Sequence, residues 1–271
     1  MDESAFNEGI IMTRVIAIAM QKGGVGKTTT AVNLAAALTE LGQRVLAIDL
    51  DPQGNLTQHV GFDPEQLHPT IYTPLKAEVE GQSSDIGDAI YETDEGFHIV
   101  PSQPELSLIE VSLINTLSRE RVLATLLEDI KSHYDFILID CNPSLGLLVI
   151  NALTAATGVV VPIQTEYLAA RGAFMILSSI ETVRRKKLNP QLKVEGIILT
   201  MADPRTLMTG EVTTAIKQQF GATIPIFEPP VRRSVRFAES VVAGKSILAY
   251  EPTSQGAEAY RQIAKTLIGR K

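Results

Sequence analysis

One octapeptide, Lys22-Gly23-Gly24-Val25-Gly26-Lys27-Thr28-Thr29, narrows what this chain can fold into more than any other stretch. It follows an apolar run, Arg14 to Ala19, and precedes an Ala- and Leu-rich stretch, Ala31 to Leu41. That order reads as strand, glycine loop, helix. Glycines let a backbone approach phosphate oxygens and take conformations that a Cβ forbids. The loop N–H groups then converge at a helix N-terminus, where the dipole favours an anion. In such a loop Lys27 reaches the β- and γ-phosphates, and the Thr28 hydroxyl holds Mg2+. The spacing departs from the usual P-loop. Gln21 stands where that pattern needs a glycine, and the glycines crowd to Gly23 and Gly24 behind Lys22.

The flanks repeat the strand–helix theme. A strand from about Arg14 to Met20 leads into the loop, and a helix runs to about Glu40, with Gly42 near its C-cap. Arg44 to Asp49 is nearly all apolar, as a strand buried on both faces should be. It ends in Asp49-Leu50-Asp51-Pro52-Gln53-Gly54-Asn55. Two carboxylates two residues apart on a strand share a side, and ligands of open α/β sheets bind at that end of the strands. Tyr134 to Asp140 is a second hydrophobic strand closing on an acid. Such an acid holds the Mg2+ water shell in P-loop enzymes, which gives Asp140 its role. Asn142-Pro143-Ser144-Leu145-Gly146 would sense the γ-phosphate.

Further strands are expected at 96–101, 158–162, 194–200 and 222–227. Helices are expected at 105–117, 120–132, from about 164 to 187, and at 255–268. No repeat and no Pro-, Gly- or Ser-rich linker interrupts the alternation. It predicts an α/β fold, a doubly wound, mainly parallel sheet with helices on both faces. Residues 1–12 read as a flexible tail and 13–271 as a single domain.

Composition excludes several classes. Every apolar run is interrupted too early to span a bilayer, and the acidic, polar N-terminus is no signal peptide. A single cysteine, Cys141, rules out an internal disulfide, argues against a cysteine-ligated iron–sulfur cluster and fits the cytoplasm. The four histidines lack metal-ligand spacing and read as surface or loop residues. The net charge of −7 has the wrong sign for coating DNA through overall charge, although acids crowd between Glu78 and Glu95 and leave other faces free to be basic.

The loop resembles the deviant Walker A box of the ParA/MinD family of dimeric ATPases, closest to the short, Soj-like partition ATPases. Asp49 to Asn55 resembles that family's second motif, and the likeness extends from about Arg14 to Leu267. The resemblance implies a P-loop NTPase that binds ATP and Mg2+ and homodimerises when ATP-bound. Lys22 would cross the interface to the partner's nucleotide. Asp51 would position the attacking water, and Asp49 would support the Mg2+ shell with Thr28 and Asp140. Asn142 departs from many ParA-like chains, which carry proline there. Thr200 to Thr206 and Glu228 to Ser240 resemble the adenine side, which nominates Met201, Pro230, Arg232 and Ser234. Exposed arginines in the same neighbourhood nominate Arg233, Arg236 and Lys245 for non-specific DNA contact.

The expected function is therefore a slow, ATP-driven switch on nucleoid DNA, reset by a ParB-like adaptor during partition of plasmid or chromosomal DNA or other cargo. A MinD-type, membrane-cycling regulator is one alternative. The apolar stripe of the C-terminal helix, Tyr260 to Ile268, instead reads as core, so no membrane partner is expected. A metabolic P-loop ligase is the other alternative.

Overall fold

The computed structural model describes residues 12–166 and 169–270, so the expected tail falls outside the described residues except for Met12. The strands are β1 (Arg14–Ile18), β2 (Val45–Leu50), β3 (Tyr91–Glu92), β4 (His98–Val100), β5 (Phe136–Cys141), β6 (Gly158–Gln164), β7 (Lys193–Thr200) and β8 (Ile226–Phe227). The first six helices are α1 (Lys27–Glu40), α2 (Asn55–His59), α3 (Tyr72–Val79), α4 (Leu106–Leu113), α5 (Val122–Leu127) and α6 (Leu147–Ala155). After them come α7 (Ala169–Arg185), α8 (Leu207–Phe220), α9 (Arg236–Val242), α10 (Ile247–Tyr250) and α11 (Gln255–Gly269).

The strands form one eight-stranded sheet in the order β3-β4-β2-β5-β1-β6-β7-β8. Every neighbouring pair is parallel except β3 against β4. From β1 the chain crosses β5 to reach β2 through α1, and from β5 it crosses β1 to reach β6 through α6. The two crossovers run in opposite directions, so α1 and α6 cover opposite faces. They open a crevice at the C-terminal ends of β1 and β5, the switch point where such sheets bind ligands.

Alternation along the strands builds a core on each face. Val15 and Ala17 of β1 pack into one core with α5, α6 and α7, while Ile16 and Ile18 pack into the other with α1 and α11. α1 is buried almost all round, and its alanines, Ala31 and Ala35 to Ala37, let α11 approach closely. Tyr260, Ile263, Ala264 and Leu267 of α11 are fully buried against it. Burying each larger apolar side chain is worth roughly 1.5–3 kcal/mol, and the stripe expected to be core is core.

Some boundaries differ from expectation. The strand expected at 222–227 shrinks to Ile226–Phe227. The N–H groups of Thr223 and Ile224 bond back to Phe220 O, and Pro225 has no N–H to offer a ladder. The helices expected at 105–117 and 120–132 are confined to α4 and α5, with Ser118 at φ 51 between them. α7 stops at Arg185, before Lys187 at φ 60. His59, expected at the surface, is 1% exposed, because α2 is pressed between β2 and α9.

Candidate nucleotide and magnesium site

The glycine loop leaves β1 and turns into α1 through Gly26, the N-cap, at φ 86 and ψ 30. Gly24 is also left-handed, at φ 72, which side chains with a Cβ rarely adopt. No side chain caps α1 and no acid lies in its first turn, so its leading N–H groups are open to an anion. Thr200, at the end of β7, steadies the loop by donating its hydroxyl to Val25 O at 2.8 Å. Lys27 is 7% exposed, and its Nζ donates to Lys22 O at 3.2 Å. Burial lowers its pKa, against the opposing pull of Asp140, Cys141 and Asp51.

Two strand-end acids face this loop. Asp49 on β2 and Asp140 on β5 are register partners and therefore share a side of the sheet. Thr28 donates its hydroxyl to Asp140 Oδ2 at 2.7 Å. Burial and the neighbouring Asp49 push the Asp140 pKa well up, against the Thr28 hydroxyl and Lys27. Asp49 is pushed up to about 6, chiefly by burial. Its carboxylate accepts from Thr57 N at 2.9 Å, Thr57 Oγ1 at 2.7 Å and Asp51 N at 3.2 Å. Its lone pairs are thus engaged by protein donors, so toward a cation it acts through its charge.

Asp140 Oδ1 and Asn142 Oδ1 are buried with no hydrogen-bond partner among the described residues. Orphaned acceptors beside crowded carboxylates are what a hard divalent cation relieves. Among the described residues, no group of three or more His, Cys, Asp or Glu could hold a metal alone. That suits Mg2+, which binds through one or two protein oxygens together with phosphates.

Asp51 lies just beyond β2, 7% exposed, and shapes its own turn by accepting from Gln53 N at 3.0 Å. The Lys22 ammonium forms an ion pair with Glu166, which follows β6. Cys141 is fully buried with its thiol pKa pushed far up by burial, as fits a packing residue rather than a nucleophile.

Beyond the loop after β7, a cleft of about 710 Å³ opens between that loop and the start of α11. Arg232, Ser234, Asp203, Phe237 and Gln255 line it. Arg232 donates to Gln255 Oε1 at 2.8 Å. Met201, at φ 51, and Pro230 are half-buried and are not part of the cleft wall. Arg233 and Arg236, nominated for DNA, also line this cleft. Arg236 is paired with Glu239 at 2.7 Å and Glu251 at 3.3 Å, which ties down its charge. Among the described residues, Arg233 and Lys245 form no ion pair, and both are exposed.

Sequence reasoning missed Thr57, which clamps Asp49, and Thr200, which holds the loop. Neither has a local signal, since each acts on a residue brought near by the sheet. It also missed Gln255, although Ser254 ahead of an apolar-periodic run marks a helix start facing the site.

What the loop and the strand-end acids share is an affinity for a magnesium-bound polyphosphate, and that defines a P-loop nucleotide hydrolase. The family model AAA_31, an AAA domain, matches residues 13–194. Over 255 residues the chain is 43% identical to sporulation initiation inhibitor protein Soj of Bacillus subtilis, covering 94% of this chain and 98% of that one. It is 40% identical to chromosome partitioning protein ParA of Caulobacter vibrioides, covering 95% of each. The chain belongs to the AAA_31 family, among its ParA/Soj-like members, and is an ATPase that uses ATP and Mg2+. Its fold matches cobyrinic acid a,c-diamide synthase of Mycobacterium smegmatis, solved with ADP and magnesium, at a TM-score of 0.82 and 38% identity over 95% of this chain and 94% of that one. The ATP complex of a Cyanothece McdA variant shares the fold, with a TM-score of 0.84 at 22% identity over 96% of this chain and 98% of that one. Among the described residues, no helix is long and apolar enough to cross a membrane.

Proposed function

We propose that this ATPase is a dimerising switch that grips DNA without reading its sequence while ATP is bound. A ParB-like adaptor resets it during the partition or positioning of plasmid or chromosomal DNA. The observation that carries this reading is the pose of Lys22. Its side chain is 40% exposed and its ammonium pairs with Glu166, while only its carbonyl serves Lys27. A phosphate-loop lysine whose charge leaves its own site suits a nucleotide held by a second copy. Exposed apolar side chains just beyond the strand ends support that contact: Leu145 after β5, and Leu207 and Met208 opening α8 after β7.

In this reading Lys27 and the loop N–H groups bind the β- and γ-phosphates. Thr28 and Asp140 hold Mg2+, with Asp49 contributing charge. The metal neutralises charge on the phosphates. Asp51 orients the attacking water, and Lys22 of each subunit stabilises charge on the other's γ-phosphate. Phosphoryl transfer needs little beyond such positioning and neutralisation, so turnover without a stimulator is slow. Arg232 and Ser234 line the cleft that takes the base, while Met201 and Pro230 stand outside its wall. Arg233 and Lys245 contact DNA phosphates on the nucleoid, and Arg236 joins them only by leaving Glu239 and Glu251.

DNA retention measured with ATP, ADP and no nucleotide across a salt series tests the proposal. ATP-dependent retention that weakens steeply with salt is expected. Equal retention in all three states would refute the switch. The name of the M. smegmatis neighbour favours a second reading, a small-molecule ligase. ATP hydrolysis stimulated by a small carboxylic acid and indifferent to DNA would support it.

A further inference from the structure

Buried polar side chains need partners, and in this protein several find them on one short turn. His59, the last residue of α2, places Nε2 3.2 Å from Lys245 O. A carbonyl only accepts, so His59 carries its proton on Nε2. Burial pushes its pKa down to about 4, leaving the ring neutral at physiological pH. Two residues earlier on the same helix, Thr57 donates twice to Asp49 Oδ2. Backbones meet directly at this joint. Gly61 is at φ +87 and Gly244 at φ +65, and a Cβ on Gly244 would come 3.1 Å from Gly61 Cα.

The phosphate-loop helix grips the same turn from another side. Asn33 of α1 is fully buried, donates to Thr29 O at 2.6 Å and accepts from Ile247 N at 2.6 Å. Glu95 accepts from Ser246 N at 2.6 Å and Ser246 Oγ at 2.5 Å. The backbone at 244–247 is thus bonded by side chains from α1, which opens at the phosphate site, and from α2, which follows Asp51. The turn exposes one cation, Lys245.

We infer that His59 is a positioning residue: it ties α2, and with it the Asp49–Asp51 strand end, to the Gly244–Lys245 turn, so that nucleotide occupancy sets the pose of Lys245 toward an anionic polymer. This rests on the DNA-binding reading above. Without the imidazole, Lys245 O loses its side-chain donor and α2 loses its only polar tie to the turn among the described residues. Asn33 would still hold Ile247, so the turn would stay folded but no longer follow α2.

The test compares wild type with His59→Leu, which removes the donor, His59→Gln, whose side-chain N–H can replace it, and Gly244→Ala, which wedges the joint open. The readouts are the ratio of DNA affinity with a non-hydrolysable ATP analogue to that with ADP, and amide hydrogen exchange at 244–247. The ratio should fall at least about fivefold in His59→Leu and Gly244→Ala and recover in His59→Gln, within the usual range of allosteric couplings. Nucleotide should protect residues 244–247 in wild type and not in His59→Leu. An unchanged ratio with unchanged protection in both His59→Leu and Gly244→Ala overturns the inference. If wild type itself binds DNA equally in both states, the DNA reading fails. The exchange data then decide the link alone, and protection insensitive to nucleotide in wild type overturns it.

Discussion

Thr28 and Asp140, 112 residues apart in the chain, are joined by a 2.7 Å hydrogen bond from hydroxyl to carboxylate. Each belongs to a different strand–loop unit, and the parallel pairing of β1 with β5 brings them together. With Asp140 Oδ1 left unpartnered, the pair presents a half-built cation shell. Asp140→Ala should therefore reduce nucleotide affinity at least about tenfold in Mg2+ while leaving affinity in EDTA nearly unchanged. Titration of a fluorescent ATP analogue under both conditions checks this, and equal losses in both would remove Asp140 from the cation's shell.

Lys27 is buried beside the open N-terminus of α1, where its charge is poorly solvated until phosphate arrives. Lys27→Ala should abolish ATP-dependent dimerisation. Analytical ultracentrifugation with ATP and Mg2+ would show it as a monomer under conditions where wild type dimerises.

Asp51 holds its turn and, among the described residues, bonds through its side chain to no phosphate-loop residue. Asp51→Ala should still bind ATP and dimerise, with hydrolysis down about a hundredfold, the scale for losing one transition-state contact. The variant should persist on DNA. A wild-type rate of phosphate release would remove Asp51 from the chemistry.

The Lys22–Glu166 pair competes with any phosphate that Lys22 reaches across an interface. Partly exposed pairs are weak, worth about 0–1 kcal/mol, so the contact restrains Lys22 without trapping it. Glu166→Gln should lower the ATP concentration needed for half-maximal dimerisation by a few-fold, and Lys22→Ala should prevent dimerisation with nucleotide binding intact. Light scattering against ATP concentration separates the two.

Asp49 titrates near 6 because burial penalises its charge. A raised folded-state pKa means that the folded protein binds this proton more readily than the unfolded chain. The stabilisation is fully present below about pH 4 and is lost as pH rises through 6. His59, lowered to about 4, has the opposite sign: its contribution is present above 6.5 and lost as pH falls toward 4. Asp49→Asn removes the first effect but turns the oxygen that accepts from Asp51 N into an amide donor, so the net gain is the charge penalty less about one hydrogen bond. In the nucleotide-free protein it should add roughly 1–3 kcal/mol at pH 7.5 and about half as much at pH 5. Denaturant midpoints at the two pH values measure this, and a variant less stable than wild type at pH 7.5 would contradict the sign.

Much of the site could be read along the chain. A strand, a glycine loop and a helix are consecutive in sequence, so the positive φ at Gly24 and Gly26 and the uncapped start of α1 follow from local chemistry. The acids at the ends of β2 and β5 were equally legible, because a buried strand closing on a carboxylate is a short-range pattern. His59 was misread for the converse reason. It looks like any polar helix residue until α9 and the turn at Gly244 close over it. The short β8 reflects a proline and two reclaimed N–H groups, a competition that composition does not display.

The order of residues determined the phosphate loop, the acids facing it and the two-sided sheet, since each depends on contacts between near neighbours and on the period of the apolar pattern. Only the tertiary structure decided that Thr57 would clamp Asp49, that Lys22 would meet Glu166, and that Asn33 and His59 would converge on one turn. Those pairings join residues from separate elements. They exist because the crossovers of a parallel sheet bring strand ends, helix starts and connecting turns to the same edge.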